Sequence, residues 1–252
     1  MSDFYSVLAD HYDELFGCSE RVVEFLRSQV PSLTGASADV GESGAAERAL
    51  DVGCGTGACT RKLLEHGADA YGVDLCEPMI ERGRELMLTH GFDQSRLAVG
   101  DMLKIHGHPA APFDLVFCIG NTIAHLPERG EVHQFVRAAR SAIRGDGVLV
   151  VQFVSVGDLE PGERLELPDL SSGPLVMRRV YERTSRDEIT FHARLGEHEV
   201  SQRLLVLTAS EVTDAMRAEG LREIRVYGGF DRSDPKPEAW VRVIVGRPGV
   251  RS

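Results

Sequence analysis

The segment Leu50-Asp51-Val52-Gly53-Cys54-Gly55-Thr56-Gly57 restricts the fold of this chain more than any other feature. It follows a short apolar run, Ala49 to Val52. It precedes a stretch of helical spacing in which Leu63 and Leu64 face inward, ending near Gly67. Alternate glycines turn the chain sharply and let backbone approach a ligand with no Cβ in the way. A purely structural tight turn uses the same residues. The strand-then-helix setting is what a ligand loop in an open α/β sheet needs. Ala58 also completes a Gly-x-Gly-x-x-Ala dinucleotide pattern, so that reading stays open, whereas no Lys-Ser/Thr ending of an ATP phosphate loop follows.

The alternation continues down the chain. Ala70 to Val73 reads as a second strand, closed by Asp74. Pro78 suits a first helical turn, and Met79, Ile80, Leu86 and Met87 then face inward until Gly91. Arg96 to Val99 and Phe113 to Ile119 are the next strands. Val132, Phe135, Val136, Ala139 and Ile143 mark a helix, and Gly147 to Val154 is a fifth strand. With Leu221 to Tyr227 and Ala239 to Val245 the count reaches seven. This cadence predicts a doubly wound, mostly parallel, Rossmann-like α/β sheet. Leu175 to Arg183, Asp187 to Leu195 and Glu199 to Leu207 are joined by tight polar turns without helices, so they should pair antiparallel as a small insertion. Thr208 with Glu211 forms a capping box for the last helix, which Gly220 ends.

Four regions follow from this reading. Residues 1–48 form a helical lid and a flexible connection, the latter Ser32 to Glu47, and 49–155 form the core. Residues 156–207 are the antiparallel insertion, an acceptor pocket or a subunit contact in a possible homodimer, and 208–252 complete the core sheet. In the lid, Ser19 caps a helix carrying Val22, Val23, Leu26 and Val30, which Pro31 stops.

The formal net charge of −11 disfavours phosphate backbones and anionic lipid, so neither nucleic acid nor membrane is an expected partner. Met1 to Ser6 carries no basic and apolar leader pattern. The five cysteines (Cys18, Cys54, Cys59, Cys76 and Cys118) are odd in number and show no Cys-x-x-Cys spacing. Free thiols in a reducing cytoplasm are the expectation, with no disulfide framework and no metal site.

Acids at the strand ends narrow the ligand. Asp74 lies roughly 20 residues after the glycine loop, placed to accept ribose hydroxyls. Asp51 precedes the first glycine, awkward beside a pyrophosphate but suited to a ligand carrying an ammonium and a sulfonium. Asp101, in Gly100-Asp101-Met102, is placed to accept from an adenine amino group. A solvated loop acid is the plainer reading of Asp101 alone.

On these residues the chain resembles the class I S-adenosylmethionine (SAM)-dependent methyltransferase family, clearly from about Ala49 to Val154 and more loosely to Val245. The resemblance implies SAM as cofactor. It implies that Gly53, Cys54 and Gly55 line the methionyl part, that Asp51 anchors the amino group and that Asp74 binds the ribose. Leu75 and Met79 would pack near the adenosine, Asp101 and Met102 near the adenine, and Ile119 would lie beside the cofactor; core packing explains Met79 equally well.

Gly120-Asn121-Thr122-Ile123-Ala124-His125-Leu126-Pro127 leaves the fourth strand where an acceptor would lie, and is similar to that of glycine and sarcosine N-methyltransferases. This implies a small-molecule acceptor, an amine first. Asn121, His125 and Tyr12 are the catalytic candidates, His125 or less readily His11 acting as base where one is needed. The start of the chain resembles the lid of small-molecule members, with Tyr5 and Tyr12 over the site. Arg178, Arg179, Tyr181, His192 and Arg203 are possible acceptor ligands, though a structural or solvated role is the plainer reading of each. The rival functions are an NAD(P)-dependent oxidoreductase, which leaves Asp51 and Asp101 unexplained, and a non-catalytic SAM-binding module.

Overall fold

Each strand of the core alternates between two buried faces, which is what places helices on both sides. In a computed structural model that describes residues 8–30, 46–156, 159–236 and 239–249, Ala49, Leu115, Phe117, Val148 and Val150 point to one side. They meet Val23, Phe25 and Leu26 of one helix and Leu63 of another. Leu50, Val116, Cys118, Leu149 and Val151 point to the other side, against Val132, Phe135 and Val136. Burying each such Val, Leu or Phe side chain contributes about 1.5–3 kcal/mol.

The strands are β1 (Arg48–Val52), β2 (Asp69–Asp74), β3 (Leu97–Val99), β4 (Phe113–Cys118), β5 (Ile143–Val154), β6 (Arg164–Ser172), β7 (Leu175–Arg183), β8 (Glu188–Leu195), β9 (His198–Leu205), β10 (Leu221–Tyr227) and β11 (Val241–Pro248). The helices are α1 (Tyr12–Phe16), α2 (Glu20–Arg27), α3 (Ala58–Glu65), α4 (Glu77–Thr89), α5 (Arg129–Ala142) and α6 (Ala209–Ala218). The main sheet has seven strands in the order β10-β11-β5-β4-β1-β2-β3. β1 to β5 run parallel, and β11 enters antiparallel between β5 and β10. β1 is flanked by β2 and β4, so the strand order reverses there. That reversal opens a crevice at the carboxyl ends of the strands, directly over the glycine loop.

Local chemistry sets the helix ends. Ser19 accepts at Oγ from the Val22 N–H, 3.4 Å, at the start of α2. The Thr208–Glu211 capping box opens α6, with the Glu211 N–H donating to the Thr208 hydroxyl at 3.2 Å and Glu211 Oε2 accepting from the Thr208 N–H at 2.8 Å. A second box, Glu128 with Glu131, opens α5.

The insertion is a four-stranded antiparallel sheet, β6-β7-β8-β9, not the expected three strands. The extra strand, β6, contains Pro168, which has no N–H for a ladder. The register with β7 shifts between Leu167 and Leu170 to pass it, so the strand pattern is broken where a reader of sequence would look for it. The cysteine expectation is also corrected: Cys18 and Cys59 form a disulfide, while Cys54, Cys76 and Cys118 are free and buried. The two partners lie 41 residues apart, and only the fold brings the end of the lid to α3. Most of the Ser32 to Glu47 connection, and Tyr5, lie outside the described residues. No helix among those described is long and apolar enough to cross a membrane.

Candidate functional site

The glycine loop leaves β1 pinned to its neighbour. The N–H groups of Gly53 and Cys54 donate to the Val73 carbonyl at 2.8 and 3.1 Å. Gly53 sits at φ +73°, and a Cβ there would meet the Thr122 methyl at 2.1 Å. Thr122 is held in turn by its hydroxyl, which donates to the Ile119 carbonyl at 2.8 Å. A Cβ on Gly55 would meet the Tyr12 ring at 2.9 Å, so the lid lies directly on the loop.

The three acids occupy adjoining strand ends. Asp51 is 3% exposed and accepts at 3.0 Å from the Thr60 hydroxyl of α3. Burial pushes its carboxyl up to about 7, the Thr60 bond opposing and the nearby Asp74 charge adding to the rise. Asp74 accepts from the Gly55 N–H at 2.9 Å and the Cys76 N–H at 2.8 Å, so one carboxylate ties the glycine loop to the start of α4. Its pKa is also raised by burial, against those two bonds. Asp101 accepts from the Leu103 N–H at 2.9 Å and pairs with Lys104 at 3.4 Å.

Two neighbouring cavities of about 330 Å³ each open over these strand ends. The first is lined by Asp51, Cys54, Ile119 and Asn121, the second by Gly55, Asp74, Leu75, Met79, Asp101 and Met102. Tyr12, Gly53, Gly120 and His125 belong to both, so the two are halves of one cleft. All thirteen site candidates therefore line the cleft. Met79 is also fully buried in the core, whereas Leu75 is 60% exposed. His11 lines neither half.

The strand end of β4 supplies the remaining polar groups. Asn121 is buried in a left-handed conformation, φ 67°. Its amide accepts at 2.9 Å from the Val154 N–H and donates at 3.2 Å to the Tyr181 hydroxyl oxygen. It thus joins the end of β5 to the insertion sheet. Burial lowers the His125 imidazole to about 4, so the ring is neutral at pH 7. Burial raises the Tyr181 phenol to about 12, which keeps its proton in place.

Of the insertion residues, Arg179 and Tyr181 reach the first cavity. Arg178 pairs with Asp169 at 3.7 Å, His192 bonds Ser201 at 2.8 Å, and Arg203 pairs with Glu188. Sequence reasoning missed Gln152, whose side-chain oxygen accepts from the Gly120 N–H at 2.6 Å and which lines the first cavity. Its signal was present: one amide inside an otherwise apolar buried strand. Met177 and Trp240, which line the same cavity, carried no such signal. Among the described residues no cluster of His, Cys, Asp or Glu is arranged to hold a metal ion.

A cleft with a buried carboxylate at one end, a carboxylate at the next strand tip and a loop with no room for a Cβ favours a ligand that carries positive charge and hydrogen-bond donors. Comparison with known proteins points the same way. Residues 49–147 match a family model described as a methyltransferase domain. The chain is 28% identical to glycine N-methyltransferase of Oryctolagus cuniculus over 136 residues, covering 47% of this chain and 46% of that protein. It is 37% identical over 88 residues to a ubiquinone biosynthesis O-methyltransferase of Methylococcus capsulatus, covering 35% and 36%. The chain thus spans less than half the length of these curated relatives. Among solved structures, the CcbJ methyltransferase from Streptomyces caelestis superposes with a TM-score of 0.75 at 19% identity, covering 96% of each chain. SAM-bound CalS10, an amino pentose methyltransferase from Micromonospora echinaspora, superposes with 0.67 at 21%, also covering 96% of each. At those identities the superpositions establish the fold. Residues 49–147 thus match a methyltransferase domain, and the chain as a whole shares the fold of S-adenosylmethionine-dependent methyltransferases.

Proposed function

We propose that this protein methylates a small-molecule amine, and that the amine carries an acidic group. The cleft geometry is the observation behind this reading: an acid-tipped half that suits an adenosyl group opens into a second half lined by Tyr181, Arg179 and His125. In that reading the chain divides as a lid through residue 48, a cofactor-binding core over 49–155, an insertion over 156–207 that shapes the acceptor pocket, and a final segment, 208–252, that completes the core sheet.

The cofactor supplies an electrophilic methyl group on a sulfonium. The protein's own residues do the rest. Asp51 holds the cofactor's ammonium, Asp74 its ribose and Asp101 its adenine, with Gly53, Cys54, Gly55 and Ile119 forming the wall. Tyr12 covers the loop and keeps water out. Fixing two reactants in line supplies about 7–11 kcal/mol of acceleration in well-oriented systems. Asn121 acts through Tyr181, whose oxygen it occupies as donor, leaving the phenol proton free to point at the acceptor.

The titration states favour an amine over a hydroxyl. With an imidazole lowered to about 4 and a phenol raised to about 12, the acceptor half offers no strong base at neutral pH other than Asp51, which in this reading is occupied by the cofactor's ammonium. An amine that enters in its neutral form, its ammonium proton already given up to solvent water, brings its own lone pair and needs none. Arg179 supports the acidic group: its Nη2 donates to the Pro168 carbonyl at 2.8 Å, but its buried Nε has no partner among the described residues, in a cavity whose other charged described residue is Asp51. A carboxylate on the acceptor would complete it.

The deciding experiment incubates the protein with SAM and separate panels of amino acids, simple amines, thiols and phenols, and measures S-adenosylhomocysteine. Amino acids should be turned over and phenols should not. Turnover of phenols in preference to amines would overturn the acceptor class, and tight SAM binding with no turnover of anything would favour a binding module.

Two variants probe the halves separately. Asp74→Ala leaves ribose hydroxyls unpaired and should weaken SAM binding by about 1–3 kcal/mol in calorimetry; unchanged affinity would remove Asp74 from the site. Tyr181→Phe should lower kcat/KM for the acceptor roughly tenfold while leaving the SAM dissociation constant alone, since one neutral hydrogen bond contributes about 0.5–1.5 kcal/mol. Equal losses in both constants would make Tyr181 a folding residue.

A further inference from the structure

The lid is fastened to the glycine-loop helix by contacts of different chemistry, an ion pair from Glu20 to Lys62 among them. Asp13 of α1 accepts from the Thr56 hydroxyl and pairs with Arg61 of α3. Five residues along, Cys18 is bonded to Cys59, the second residue of that same helix. Between these anchors Phe16 stacks on Tyr12, ring centres 5.0 Å apart, and Tyr12 lies on Gly55. Removing the covalent anchor would leave α1 tied through the Asp13 contacts to Thr56 and Arg61 and through apolar packing of Leu8 and Leu15, with one constraint fewer on the approach of Tyr12 to Gly55.

Both bonded cysteines are partly exposed and line the first cavity, so a small thiol can reach them. The other thiols cannot compete. Cys54, Cys76 and Cys118 are buried, and burial raises the pKa of each, which suppresses the thiolate that exchange requires.

We propose that Cys18–Cys59 is a thiol–disulfide exchange site for a dithiol reductant, and that its reduction loosens the lid and speeds cofactor exchange. A thiolate of the reductant attacks one sulfur of the pair and breaks the S–S bond, giving a mixed disulfide. The reductant's second thiol then displaces the protein sulfur. The protein gains two electrons and two protons as two thiols, and the reductant leaves as its own disulfide. The site of action is the lid, because the bond joins no other two elements.

The kinetic half of this inference rests on the proposed cofactor site, so two readouts are needed. Full-length protein is prepared oxidised, or reduced with dithiothreitol that is then removed. Amide hydrogen exchange over residues 8–18 is compared, and S-adenosylhomocysteine dissociation is followed by stopped flow. Reduction should increase exchange of those amides and raise the dissociation rate several-fold. Cys18→Ser and Cys59→Ser should behave like reduced protein and ignore the reductant. Identical amide exchange in the two states overturns the proposal whether or not the ligand binds. Five titratable thiols after exposure to oxidised dithiothreitol would overturn it as well. Faster amide exchange with no binding of S-adenosylhomocysteine in either state would leave the exchange site standing and count against the cofactor site instead.

Discussion

Gly53→Ala should cost roughly 2–5 kcal/mol, spread over fold stability and cofactor binding, and should be among the most damaging single-methyl additions in the chain. Two independent penalties meet at this position. A left-handed backbone at φ +73° burdens any residue with a Cβ by about 1–2 kcal/mol. The new methyl would also fall 2.1 Å from the Thr122 methyl and 2.8 Å from its hydroxyl oxygen. Thr122 cannot simply rotate away, because that hydroxyl is bonded to the Ile119 carbonyl. Relief must come from moving the β4 end away from the loop, which widens the cleft at the point where its halves join. Thermal unfolding and SAM calorimetry together read the result. Gly67→Ala is the control: it shares the left-handed backbone, φ +85°, but has open space around the added atom. If Gly53→Ala loses no more than Gly67→Ala, the close approach is not tight and the steric argument fails.

The same comparison shows what sequence can reveal. The core was legible because its signals are local and repeated: apolar runs of strand length, helical spacing, caps and stop glycines. Ser19, Pro78, Gly91 and the Thr208–Glu211 box all stand where their backbone chemistry placed them. The cleft was legible because a glycine loop and strand-end acids have few other uses together. What sequence hid was long-range or was masked by a local contradiction. Cys18 and Cys59 meet only because the lid folds back on α3. β6 is disguised by Pro168. Asn121 reads as a candidate for direct contact with substrate, yet its amide is committed to Val154 and Tyr181, partners 33 and 60 residues away. His125 reads as a base until burial makes it a poor one. Composition and spacing carry little information on desolvation, and desolvation decides the chemistry of this cleft.

Asp51 is where that desolvation has its largest expected consequence. An ordinary aspartate titrates near 3.9, about three units below the value near 7 that burial imposes here. Between those values the native protein binds more protons than the unfolded chain. Stability of the ligand-free protein should therefore fall as pH rises from about 4 to about 7, by about 4 kcal/mol in total. In the proposed site cofactor binding should reverse the sign, since an ammonium beside the Asp51 carboxylate favours the ionised form. SAM affinity should tighten up to tenfold per pH unit approaching 7. It should weaken again above about 8, as an α-amino group loses its own proton. Asp74, whose carboxyl burial also raises on balance against its backbone N–H bonds, adds to the fall in ligand-free stability in the same direction. Asp51→Asn keeps an oxygen for Thr60 but discards the charge. At pH 7.5 it should lose about 3–5 kcal/mol of binding, the cost of an uncompensated buried ion, while the ligand-free variant melts higher than the parent. The acid limb of the affinity profile should vanish with it, yet persist in Asp74→Ala. Calorimetric titrations from pH 6 to 8.5 measure all of this. A parent affinity that does not change between pH 6 and 7.5, or an Asn variant that binds as tightly as the parent, would mean that Asp51 does not face the cofactor's ammonium.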